Sequence, residues 1–263
     1  MFPGIGVSDT YNDTGSKKAG LLRAAEPWCG GGRVDVGTLY VVGTPIGNLE
    51  DITLRALRVL REVDVIAAED TRTTRQLLRA CEVASPLTSF HEFSGPGKVR
   101  HLTERLANED VALVSDAGMP GLSDPGYPLI RAAIEAGFAV VPIPGPSAIL
   151  AALVASGLPM HAFHFLGFLP RKSGERRRAL AAVAEEDATL VAFESPHRLA
   201  ASLVDALAVL GDRRMAAARE LTKKFEETVR GTISELVERF GGQAPRGEFT
   251  LVFAGRPRGG ALG

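Results

Sequence analysis

From Thr38 onward, short apolar runs alternate with segments whose apolar residues recur at helical spacing. This is the pattern of βα units around a mainly parallel sheet. Leu39 to Val42 reads as the first strand. Leu49, Ile52, Ala56, Leu57 and Leu60 then fall at helical spacing, with Glu50 and Asp51 in a first turn whose dipole favours negative charge. Further strands are expected at Val65 to Ala68, Leu87 to Phe90, Val111 to Val114 and Phe138 to Ile143. Between them lie helices burying Leu77, Leu78 and Cys81, then Val99, Leu102 and Leu106, then Leu129, Ile130, Ala133 and Ile134. A helix from Pro146 to Ser156, ended by Gly157-Leu158-Pro159, leads to a second set of units. Its strands are expected at Phe163 to Phe168, Thr189 to Phe193, Arg214 to Ala218 and Glu248 to Ala254, separated by helices rich in Ala and Leu.

The fold class is therefore α/β. At 263 residues the chain is long enough for two domains, divided here at Gly157 to His161: 37–157 and 158–257, with a tail at 258–263. Residues 1–36 lack periodicity and are read as a disordered leader outside the working protein.

Open α/β sheets bind ligands beyond the carboxyl ends of their strands, and three Gly/Pro-rich loops lie at such ends. In Gly43-Thr44-Pro45-Ile46-Gly47-Asn48 the glycines permit close backbone approach, and Asn48 is placed to cap the next helix. The loop carries neither the G-x-G-x-x-G spacing of dinucleotide sites nor the Gly-Lys-Ser/Thr of a P-loop. Ser115 to Gly126 is longer than a simple turn needs, which points to function. In it Asp116 is suited to accept hydrogen bonds from a ligand, whereas Asp124, before Pro125-Gly126, reads as a helix cap. The third loop, Pro142 to Ala148, presents backbone N–H groups of a helix start to the same edge.

The segments GTLYVVGTPIGNLEDIT, IAAEDTR, SDAGMPGLSDPG, IPGPSA, LGFLPRK, FESPHR and RELTK occur in this order. Together they closely resemble the bacterial small-subunit ribosomal RNA 2′-O-methyltransferase I family, in the tetrapyrrole methylase class, over about Gly37 to Ala254. The resemblance implies two α/β domains with S-adenosyl-L-methionine folded into the cleft between them. It also implies a homodimer in the cytoplasm and 2′-O-methylation of a cytidine ribose in 16S rRNA at the decoding centre of the small ribosomal subunit. By motif, the cofactor pocket should use Pro45 and Ile46, the Asp116 to Pro120 turn with Gly118 and Met119, Ser147 and Ala148, and strand ends near Leu166 and Phe193. Met119-Pro120-Gly121-Leu122 departs from the family's Thr-Pro-Leu-Ile, which removes a hydroxyl from that turn.

Methyl transfer from a sulfonium requires in-line alignment more than covalent help. A ribose hydroxyl is nevertheless a poor nucleophile until it begins to lose its proton, so a carboxylate or imidazole within reach is useful. The candidates for that base are Glu69 and Asp70 after the second strand and His91, beside Glu92, after the third. Helix-start carboxylates and a capped loop histidine are the plain structural alternatives for these residues.

The net charge of −1 gives no global attraction to nucleic acid, so an RNA partner must meet local basic patches. The candidates are Arg72, Arg75 and Arg79 on one helical face, Arg171-Lys172, Arg176-Arg177-Arg178, Arg198 of the FESPHR segment, and Lys223-Lys224. Solvated faces explain such charges equally well when each is taken alone. Hydrophobic residues at 45% and charged residues at 23% fit an ordinary globular protein. Cys29 and Cys81 make no disulfide framework, no apolar run is long enough to span a bilayer, and His161 and His164 lack partners for a metal site. A cytoplasmic protein without metal or membrane partners is expected. Two other functions remain open on the sequence: a methyltransferase of the same architecture acting on a tetrapyrrole or other small molecule, and a non-catalytic protein that binds S-adenosylmethionine or RNA.

Overall fold

The computed structural model describes residues 36–242 and 245–256. The expected leader, with Cys29, and the expected tail at 258–263 therefore lie outside the described residues.

The first half forms a five-stranded sheet in the order β3-β2-β4-β1-β5, made of β1 (Thr38–Val42), β2 (Val65–Ala68), β3 (Leu87–Ser89), β4 (Val111–Val114) and β5 (Ala139–Ile143). All four pairings are parallel. Each central strand is apolar on both sides because both faces are covered. On one face, α1 (Leu54–Glu62) and α2 (Thr71–Ala80) pack Ala56, Val59, Leu60 and Leu78 against Val42, Ile66, Ala68, Ala112 and Val114. On the other, α3 (Pro96–Arg105) and α4 (Tyr127–Glu135) pack Leu102, Leu129 and Ala133 against Leu39, Val41, Val65, Ala67, Val111 and Leu113.

The expected first helix is split. Leu49–Asp51 forms a single 3-10 turn capped by the Asn48 side chain, and the α-helix starts anew after Thr53, whose hydroxyl accepts from the Ala56 N–H. Periodicity missed the break because Leu49 and Ile52 stay in phase with Ala56 and Leu60, while the local competition is settled by the Thr53 cap.

The second half departs further from expectation. Its sheet has the order β6-β7-β10-β8-β9, from β6 (Phe163–Phe168), β7 (Thr189–Glu194), β8 (Arg214–Arg219), β9 (Glu227–Thr232) and β10 (Phe249–Phe253). Only β6 and β7 pair in parallel; β10 runs antiparallel to both β7 and β8, and β9 antiparallel to β8. Strand direction leaves no trace in apolar spacing. The additional strand, β9, is a half-exposed edge with sequence ETVRGT, which lacks an apolar face to announce it.

One face of this sheet is covered by α6 (Ser173–Ala181), α7 (Leu199–Leu210) and α8 (Ile233–Phe240), the last opened by a Thr232/Glu235 capping box. The other face receives α5 (Ala148–Ser156). Although α5 precedes the Gly157–His161 connection, its Ile149, Ala152 and Leu153 pack on Val191, Ala216, Ala218 and Val252 of the second sheet. The strand-end loop before α5 thus belongs to one sheet and its helix to the other.

Candidate active site and its relatives

In the first sheet β1 and β4 are neighbours, yet the helices that follow them leave toward opposite faces. Such a point opens a crevice at the carboxyl edge. Here the crevice is floored by the first two loops, joined as a two-residue bridge: Thr44 N–H donates to the Gly118 carbonyl at 2.9 Å and Gly118 N–H returns to Thr44 at 3.1 Å. The buried Thr44 hydroxyl donates to the Ser115 carbonyl at 3.1 Å. Gly118 has φ +79, which a side chain would strain.

The third loop closes on the first at two glycines. A Cβ on Gly43 would lie 2.8 Å from the Gly145 Cα, and one on Gly145 would lie 2.9 Å from three backbone atoms of Gly43. Ser147 caps α5 through its side chain.

A pocket opens above this floor. From the first half it is lined by Ile46, Gly118, Met119, Leu122, Asp124, Ser147 and Ala148; from the second by Phe168, Phe193, Glu194, Lys223 and Thr250, among others. Phe168 sits beyond a register break in β6, where Gly167 has φ +69 and a Cβ there would come within 3.7 Å of the Ser123 hydroxyl. Loops of the two sheets therefore meet at the pocket rim.

Of the residues expected to hold the cofactor, Ile46, Gly118, Met119, Ser147, Ala148 and Phe193 line this pocket. Pro45 and Pro120 are buried behind it and shape the loops, and Leu166 packs against the helix-covered core of the second sheet. Asp116 lies beside the pocket and accepts a hydrogen bond from the Asp70 N–H at 3.1 Å, while its own N–H donates to Glu69 at 3.3 Å. These two bonds cross-link the ends of β2 and β4.

The proposed bases separate in the structure. Burial, with Asp116, Glu92 and Asp70 nearby, raises the Glu69 carboxyl above its usual range despite the Asp116 N–H. Asp70 behaves oppositely: it caps α2 and chelates Arg72, whose side chain holds the carboxyl down at about 2. His91 is exposed, its N–H donating to Ser94 and its ring tilted against Phe93 at 6.3 Å. None of Glu69, Asp70 and His91 lines the pocket.

Asp124 does line it, and the expectation that it caps α4 is corrected. The cap residue is Gly126, with no side-chain hydrogen bond, and the turn through Ser123 (φ +66) aims Asp124 inward. Burial pushes its carboxyl up to about 6, helped by the charges of Glu69, Asp116 and Glu248 and opposed by the Ser115 hydroxyl. The Asp-Pro-Gly sequence gave a cap signal and no hint of this.

The basic clusters also divide. Arg72, Arg75, Arg79, Arg171, Lys172 and Arg178 are exposed. Arg176 is not: its guanidinium is 4% exposed and paired with the equally buried Asp205, which Arg177 and Ser173 also engage. The Arg176 to Arg178 run is thus partly a buried strut. Arg198 is similarly committed, to Glu194, Ser195 and the Leu169 carbonyl. Lys223 reaches the pocket itself, 3.0 Å from Glu220 and 3.9 Å from Glu248. Among the described residues no helix is long and apolar enough to cross a membrane, and no cluster of His, Cys, Asp or Glu is arranged to hold a metal. His164 pairs with Glu186.

A switch-point crevice with glycine-stitched loops and a second, mixed sheet closing over it matches a known architecture. Residues 38–237 match the family described as Tetrapyrrole (Corrin/Porphyrin) Methylases, and the chain belongs to that family. Solved structures of the same fold include uroporphyrin-III-C-methyltransferase from Thermus thermophilus (TM-score 0.56, 23% identity, covering 82% of this chain and 94% of that one). Diphthine synthase is another (TM-score 0.63, 14% identity, 83% and 89% covered).

Among curated relatives the similarity is much higher. The chain is 51% identical over 224 residues to the ribosomal RNA small subunit methyltransferase I of Halalkalibacterium halodurans, covering 85% of this chain and 78% of the relative. It is 47% identical over 222 residues to the protein of that name from Thermotoga maritima, covering 84% of this chain and 100% of the relative.

Proposed function

We propose that the chain transfers a methyl group from S-adenosyl-L-methionine to the 2′-hydroxyl of a cytidine ribose in 16S rRNA of the small ribosomal subunit. The observation that carries this reading is the identity of about half of all aligned positions with ribosomal RNA small subunit methyltransferase I, across 85% of the chain. The distant likeness to enzymes of other substrates supports the fold alone.

The pocket suits such a donor. Ile46, Met119 and Phe193 offer an apolar wall for a purine, and the loop glycines let backbone approach closely. Several carboxylates suit a ligand bearing an ammonium and a sulfonium. When bound, the donor supplies an activated methyl with its own leaving group. What remains for the protein is to hold the acceptor oxygen in line, exclude water, and receive a proton.

RNA contact falls to the exposed cations flanking the pocket. Arg171 and Lys172 follow β6 and directly precede α6, where Lys172 makes only a loose exposed contact with Glu175 at 3.5 Å. Replacing both by alanine should weaken RNA binding roughly tenfold at low salt and flatten the salt dependence by about one to two phosphate contacts. Donor affinity should be unchanged, as filter binding and donor titration in parallel will read; equal loss of both would mark misfolding.

The reading itself is tested by transfer of labelled methyl into small subunits from cells lacking the enzyme, followed by nucleoside mapping. Label in a 2′-O-methylcytidine is expected. Transfer only to small molecules would leave a tetrapyrrole-type enzyme, and donor binding without transfer would leave a binding protein.

A further inference from the structure

The pocket contains four carboxylates, and three of them have cations. Glu194 is wholly buried and held by Arg198 and the Ser202 hydroxyl. Glu220 pairs with Lys223, and the largely exposed Glu248 lies at 3.9 Å from the same ammonium. The fourth, Asp124, has no ion pair or helix cap among the described residues. Its neighbours are the Ser115 hydroxyl and other acids: Glu69 from the end of β2, Asp116 from its own loop and Glu248 from the approach to β10.

Its position is equally particular. Asp124 stands beside Leu122 and Ser123 on the rim loop, and across the rim stands Phe168, which is 56% exposed. The rest of the lining includes Ile46 of the first loop, Ser147 and Ala148 at the start of α5, and Thr250 of β10. A nucleotide entering from solvent would pass between exposed apolar side chains, Leu122 and Phe168, that suit the face of a base. Its ribose would come to Asp124.

Resting on the rRNA methyltransferase reading above, we propose that Asp124 is the proton acceptor for the ribose 2′-hydroxyl. As the oxygen–methyl bond forms, the methyl–sulfur bond breaks and its electron pair stays on sulfur. The 2′-hydroxyl proton passes to an Oδ of Asp124. One sulfonium charge and one carboxylate charge disappear together, leaving a neutral thioether, a methyl ether and a carboxylic acid. Burial of Asp124, which already disfavours its charged form, favours such mutual neutralisation.

The elevated proton affinity of this carboxyl, near 6, suits a general base, since the group is ionised at neutral pH yet a far better acceptor than Asp70 at about 2. The surrounding acids Glu69, Asp116 and Glu248 sustain that elevation, and Lys223 is engaged elsewhere.

The experiment compares wild type, Asp124→Asn and Asp124→Glu in single-turnover methyl transfer to small subunits from pH 5 to 9, with donor affinity and thermal midpoints measured alongside. Wild-type rates should rise through an apparent pKa close to 6. Asp124→Asn should lose at least about 100-fold and that pH limb, keep donor affinity within about threefold, and Asp124→Glu should recover part of the rate with a limb.

A folded-state pKa above the unfolded value means that the charged carboxylate costs stability above pH 6, a cost that fades as pH falls toward 4. Asp124→Asn should therefore melt about 2 °C or more above wild type at pH 8, with the gain gone near pH 4. An Asp124→Asn enzyme that keeps its rate and its limb near pH 6 overturns the proposal, as does a parallel collapse of donor affinity, which would make Asp124 a donor ligand. Wild-type protein that labels no RNA overturns the rRNA reading and this proposal together.

Discussion

A Gly145→Ala protein should lose stability and donor binding together. The added Cβ meets Cα, C and O of Gly43 at 2.9 Å, and all three are backbone atoms pinned by the Gly43 N–H to Ile143 bond. No side chain can rotate to relieve the contact, so the first and third loops must part. Overpacking of this kind costs roughly 3 kcal/mol. The displaced residues include Ile46, Ser147 and Ala148 of the pocket wall, so donor affinity should fall by about 100-fold if a similar energy separates the bound loop arrangement from the relaxed one. Denaturant unfolding and donor titration measure the two losses. Gly97→Ala is the control, since a Cβ there finds no atom within 4 Å. Gly145→Ala protein that binds donor as wild type does would show that the loops adjust freely.

Removing the carboxylate of Asp205 should have a comparable effect without touching the pocket. Asp205 on α7 holds Arg176 and Arg177 of α6, with Arg176 almost wholly buried. Burial alone would raise the Asp205 carboxyl, but hydrogen bonds from Arg177, Ser173 and Arg176 outweigh it and hold the group below its usual range. Asp205→Ala strands a buried guanidinium, a change that costs about 3–5 kcal/mol. The double replacement Arg176→Met with Asp205→Leu should restore most of that stability, because an apolar pair of similar volume needs no desolvation. Because the folded carboxyl is the stronger acid, its stabilisation is present at neutral pH and lost as pH falls through the carboxylate range. Denaturation at pH 7 and pH 3 checks both points: the penalty of Asp205→Ala should be larger at pH 7.

The first sheet was legible because βα units write themselves into apolar spacing: Val111–Val114 is apolar on both sides and lies at the centre. The loops at its carboxyl edge were legible for the same reason, since a strand end followed by Gly and Pro marks a turn wherever it occurs. The second sheet was readable as strands but not as an arrangement, because β10 pairs with β7 and β8 across long separations.

Charge was the least legible property. Arg176, Arg177 and Arg178 look alike in the chain, yet Arg176 and Arg177 both meet Asp205, far along the sequence, and only Arg176 is buried there. Asp124 was read from its local Asp-Pro-Gly context, whereas its proton affinity arises from Glu69 and Asp116, which the fold brings to it from β2 and from earlier in its own loop.

The place of β10 has a consequence for synthesis. Among the described residues Phe249–Phe253 is the last strand, yet it occupies the middle of its sheet, with β7 on one side and β8 on the other. Until it leaves the ribosome, β7 and β8 lack their shared neighbour, α5 lacks Val252 beneath it, and the pocket lacks Phe249 and Thr250. A nascent chain can complete its parallel sheet early, but it acquires the pocket only once Phe249–Phe253 has emerged.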